Sequence, residues 1–140
     1  MDLNLDELLN ELPITIQNVL KEVDVKSEDP MNIVFQMASM PGQLIALKGG
    51  GEWGMQWWEK FQESMKEFLC SNKKGCLNDL VQKSGPLKPS NLIQSASVYV
   101  GASCGIHAGL LTGFCGAIIY QVFARGKQSW CDVVLPKNVP

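Results

Sequence analysis

Charge is missing where a chain of this size has least room to hide the lack. No residue between Lys88 and Arg125 is charged, and residues 31–47 form a second, shorter uncharged run. Histidine is nearly absent too, His107 being the only one. One histidine in an apolar stretch, with no G-x-S-x-G elbow and no phosphate loop, offers no constellation for nucleophilic or acid–base catalysis. A non-enzymatic role is therefore expected. Concentrated positive charge is also lacking, since Lys73-Lys74 is the only adjacent basic pair. Nucleic acid selects a clustered cationic footprint, so it is not an expected partner. The opening "MDLNLDELLNEL" begins with acid where a secretory signal carries positive charge, so no signal or transit peptide is expected.

What is present is unevenly spread. Residues 1–30 hold eight of the fourteen acids and two of the twelve bases, which makes an acidic front and a mildly basic remainder. At 140 residues the chain is one domain's worth. We divide it into an acidic amphipathic arm (1–30), a helical unit with a glycine linker and a tryptophan-rich helix (31–88), an apolar glycine-faced helix (89–124) and a short tail (125–140). Five cysteines, an odd number without a signal, predict free thiols in a reducing compartment. Cys70 and Cys76 bracket a lysine-glycine turn and would be the pair to close in an oxidising one.

The expected fold class is all-α. In the arm, Leu5, Leu8, Leu9, Leu12, Ile16, Leu20 and Val23 recur at spacings of three and four, an amphipathic stripe that Pro13 divides or kinks. The 31–47 run reads as a buried helix broken near Pro41, being too short and too polar for a span. Gly49, Gly51 and Gly54 match a dinucleotide glycine spacing, but residues 71–90 provide no second strand, so Gly49–Gly51 is read as a linker. Trp53, Trp57, Phe61, Met65 and Phe68 then line one face of a helix whose other face is charged. Trp53, Trp57 and Trp58 suit a water–lipid boundary as well as a core.

The segment "GASCGIHAGLLTGFCG" raises the central question. Gly101, Gly105, Gly109 and Gly113 fall every fourth residue, with Gly116 just beyond. On a helix these glycines share one sector with Ala108 and Thr112, opposite a bulky side of Val100, Leu110, Leu111, Phe114 and Ile118. Each interior glycine costs about 0.8–1 kcal/mol relative to alanine, so something must offset the set. Small residues every four positions let another helix backbone come close, which is how helices associate in lipid. The pattern resembles glycine-zipper membrane helices.

These residues predict one long apolar helix over 89–124 with a single transmembrane span at about 98–123. The alternative is the buried central helix of a soluble bundle. The span would be tail-anchored, with the N-terminal part in the cytosol, and its partners would be other membrane helices, from the same or different chains, and lipid. The function expected is that of an accessory or assembly subunit acting through the glycine face. The alternatives are a membrane-permeabilising, holin-like pore former and a soluble helical interaction module. No small-molecule substrate is expected. His107 reads as a hydrogen-bonded histidine, with an axial bond to a tetrapyrrole as the sharper alternative. Cys104 and His107 supply two ligands where a closed zinc site wants four, so no metal is expected.

Overall fold

The computed structural model describes residues 3–22 and 52–134. Every regular element among them is helical. The expected linker at Gly49–Gly51 and the 31–47 run lie outside the described residues.

The arm forms two short helices, α1 (Leu5–Asn10) and α2 (Ile14–Glu22). Asn4 caps α1, its Oδ1 accepting the Glu7 amide at 3.1 Å, and Asp6 and Glu7 sit at the positive end of the helix. Pro13 separates the two, and its carbonyl accepts from Ile16 and Gln17. The stripe read from the sequence faces inward, with Leu8, Leu9, Leu12, Ile16 and Leu20 all buried.

The remaining helices are α3 (Glu52–Cys70), α4 (Leu77–Ser84), α5 (Pro89–Cys104), α6 (Thr112–Arg125) and α7 (Lys127–Val134), with a single 3₁₀ turn at Ala108–Leu110. Phe61, Met65, Phe68 and Leu69 form the buried face of α3, which packs along α5. Trp58 stacks on Phe61 with ring centroids 5.7 Å apart and is half-buried, so it joins the core edge. The side chains of Trp53 and Trp57 lie outside the described residues. Residues 127–134, expected as part of a tail, are helical and bury Trp130 against the core.

The one long helix expected over 89–124 is not formed. The chain breaks after Cys104, where Gly105 takes a left-handed conformation (φ 71°) and its N–H returns to the Gly101 carbonyl. That is a glycine helix stop, open to glycine because it has no Cβ to clash. The chain then folds back over Gly101. A Cβ there would lie 2.6 Å from the Ile106 carbonyl oxygen, so the return path exists only because that carbon is missing. After the 3₁₀ turn, α6 runs back along α5, bringing Gly116 beside Ile93. The apolar run is a helical hairpin.

This also corrects the transmembrane expectation. Neither limb of the hairpin reaches the roughly 20 residues a span needs, and no helix among the described residues is long and apolar enough to cross a membrane. The lack of charge has another cause. All six residues from Phe114 to Ile119 are buried, because α1, α2, α5 and α7 surround α6. The middle of α6 therefore has no solvent face to carry charge, whereas α5 keeps an exposed face that is polar or small but uncharged, with Ser90, Asn91, Gln94, Ala102 and Ser103 beside Val98.

The two geometries predict opposite signs for one substitution. In a continuous helix Gly105→Ala would stabilise by about 1 kcal/mol. At a left-handed stop it costs about 1–2 kcal/mol. Gly101→Leu, which must displace the returning backbone, is expected to cost about 3 kcal/mol or more. Urea unfolding of both variants checks the order and the sign.

Candidate functional site

The glycine positions nominated by the sequence divide into three environments. Gly101 lies under the fold-back, with Ala108 backbone atoms 3.5–3.6 Å from where its Cβ would be. Gly105 and Gly109 have no helix of the described residues against them. A Cβ on Gly105 would meet nothing within 4 Å, and one on Gly109 would meet only the His107 ring, at 3.1 Å. Gly113 and Gly116 lie beneath the arm, where added Cβ atoms would run into Ile16 Cδ1, at 2.6 Å, and into Leu12 Cδ2 respectively. The furrow these two glycines leave on α6 thus receives Leu12, from the turn between α1 and α2, and Ile16 of α2.

His107, Ala108, Gly109 and Thr112 come together at the hairpin turn, where they line a cleft of about 450 Å³ with Glu11 and Ile93. The arm supplies one wall of this cleft through Glu11. His107 is exposed and caps the 3₁₀ turn, its Nδ1 accepting the Gly109 amide at 3.0 Å. When the ring is neutral, that bond leaves the proton on Nε2. Axial ligation through Nε2 needs the opposite tautomer, so the local geometry works against the tetrapyrrole reading. Thr112 is exposed and its hydroxyl points back to the Gly109 carbonyl. No group of three or more metal-ligating side chains occurs among the described residues.

The cysteine expectation needs correction. Cys70 is bonded to Cys131, with Cα atoms 5.5 Å apart, and Cys76 is a free, buried thiol. The bridge ties the end of α3 to α7 across 61 residues of sequence. Closing a loop of that size in the unfolded chain contributes about 4 kcal/mol in the chain-entropy account. Cys104 and Cys115 are also free. Burial pushes the Cys115 thiol up to about 12, with the Ser97 hydroxyl opposing that rise in part. Cys104, half-buried, is raised less, again by burial.

Polar contacts missed by the sequence reading fasten the loop between α3 and α4. Glu67 accepts from Lys73 Nζ at 2.8 Å and from the Tyr99 hydroxyl, and both contacts hold its carboxyl below the ordinary value. Burial and the Glu67 carboxylate raise the Tyr99 phenol. Asp79 accepts from the Gly75 amide at 3.0 Å and faces Lys83 at 3.2 Å, which lowers it too. The Glu67–Tyr99 contact spans 32 residues and has no local sequence signature.

No protein-family model, curated protein or solved structure matches this chain.

Two measurements follow from the site. Tryptic mapping without reductant should recover a Cys70–Cys131 cross-linked peptide, and alkylation of the native protein should modify Cys104 ahead of Cys76 and Cys115. Recovery of a Cys70–Cys76 link would contradict the bridge. Acid titration of stability tests the carboxylates. Because Glu67 and Asp79 are lowered in the fold, their contribution is present above the ordinary values of 4.5 and 3.8 and is lost as pH falls below them. Glu67→Gln with Asp79→Asn should flatten the decline in melting temperature between neutral pH and that acid range.

Proposed function

We propose that the chain is a non-enzymatic helical interaction protein, an accessory or assembly subunit that engages partners by helix packing. One observation carries the reading. Gly113 and Gly116 leave a furrow on α6 that takes the apolar side chains of an amphipathic, leucine-bearing segment. A furrow of that shape accepts an equivalent segment from another chain or from a second copy. Helices of six and nine residues are marginal by themselves, so the arm holds its structure through packing and gives way at modest cost.

The partners in this proposal are helices of protein subunits, those of membrane complexes included. The described helices give no support to this chain crossing the bilayer itself. The Cys70–Cys131 bridge favours an oxidising compartment over the reducing one suggested by the cysteine count. Burial of Cys76 and Cys115 fits that setting, because thiols removed from solvent exchange slowly.

A fluorescent peptide of residues 3–22 tests the furrow. The full chain carrying Leu12→Asp and Ile16→Asp, whose own arm is undocked, should bind the peptide at least about tenfold more tightly than the unaltered chain. Adding Gly113→Leu and Gly116→Leu should abolish that binding, with helicity by circular dichroism kept in both. Absence of peptide binding to the arm-undocked chain would refute the proposal.

A further inference from the structure

A second cleft, of about 530 Å³, opens away from the hairpin turn. Its described lining joins the loop after α3 to α4 and to the junction of α6 and α7. Lys127 is the one cation among the described residues that line it, and no described lining residue is a carboxylate. The Lys127 ammonium makes no salt bridge with a described residue, and it is half-buried, which lowers its pKa. A partly desolvated ammonium facing a cleft without acid is a locus that favours an anion.

The hydrogen bonds around it fix which atoms are already engaged. Lysine only donates, so Lys127 Nζ must meet the oxygen of Asn78, which it does at 3.3 Å. The Asn78 amide nitrogen donates to Asn72 Oδ1 at 3.1 Å and to the Ser71 carbonyl at 3.4 Å. With its oxygen engaged, Asn72 presents an NH₂. Gln128, next to Lys127 on α7, donates to Asp132 Oδ1 at 2.9 Å, which leaves its oxygen as an acceptor. Leu77 and Phe123 supply an apolar floor. The cleft thus offers an ammonium and an amide donor at one end, an acceptor beside them and hydrocarbon beneath. Its volume is in the range of small-ligand sites.

We propose that this cleft binds a small hydroxylated carboxylate, its carboxylate on Lys127 and the Asn72 amide, a hydroxyl on Gln128 and its carbon face on Phe123 and Leu77. One ammonium balances a single negative charge, and no arginine or glycine nest is present among the described lining residues to take a phosphate dianion. The proposal is independent of the interaction furrow on α6.

The test is titration of the full chain with glucuronate, gluconate and lactate, with glucose as the neutral control, followed by ¹⁵N-resolved NMR. Glucuronate or gluconate should shift the side-chain amide signals of Asn72, Asn78 and Gln128. Glucose should bind at least about tenfold more weakly. Lys127→Met should weaken carboxylate binding at least about tenfold while the melting temperature is retained, and Lys127→Arg should keep part of it. Equal binding of glucose and glucuronate, an unaffected Lys127→Met variant, or no response to any of the three carboxylates at about the millimolar level would each overturn the proposal.

Discussion

The fold depends on one close approach, the passage of the Ile106 carbonyl over Gly101. Where a Cβ would stand 2.6 Å from that oxygen, there is only hydrogen. The chain can therefore reverse within a few residues of Gly105 and lay α6 back along α5. With the reversal in place, a 36-residue uncharged segment becomes two limbs that pack on one another, with α3 along one side of α5 and with α1, α2 and α7 against α6. Without it the same residues would extend over about 54 Å as one helix.

The bridge and the core act on this arrangement in different ways. Burial of Phe61, Phe68, Leu92, Leu111, Ile118 and Ile119 supplies the non-directional drive to collapse. Those contacts alone do not determine where a short C-terminal helix docks. The Cys70–Cys131 bond does, holding α7 against the end of α3 and so shaping the cleft in which Lys127 sits. The arm has no covalent tie of this kind among the described residues, and five buried side chains, Leu8, Leu9, Leu12, Ile16 and Leu20, pack it on the hairpin.

Much of the architecture was legible in residue spacing. The arm's leucine stripe and the buried face of Phe61, Met65 and Phe68 both follow from periods of three and four, because burial of one face imposes that pattern. The glycine repeat was legible as a sign of close approach but not of its geometry. Spacing by four is the same whether glycines line a continuous helix, stop one, or admit a reversing backbone. Only φ at Gly105 and the contact at Gly101 separate these cases, and both arise from tertiary structure. Cys131 as the partner of Cys70, and Glu67 as the partner of Tyr99, depend on pairings across 61 and 32 residues that no local window contains. Nothing in the residues next to Lys127 signals its place; the fold brings it to Asn78 of α4, 49 residues away.

The central claim is that residues 89–124 form a hairpin within the chain's own helical core. The most direct measurement is a nuclear Overhauser contact between the Ile93 δ1 methyl and the Gly116 α protons in the intact protein. The hairpin predicts a strong cross-peak, since Ile93 Cδ1 lies 3.4 Å from the Cβ position of Gly116. A single continuous helix would separate the two residues by about 35 Å and give none, and absence of that cross-peak in a fully assigned spectrum would contradict the account.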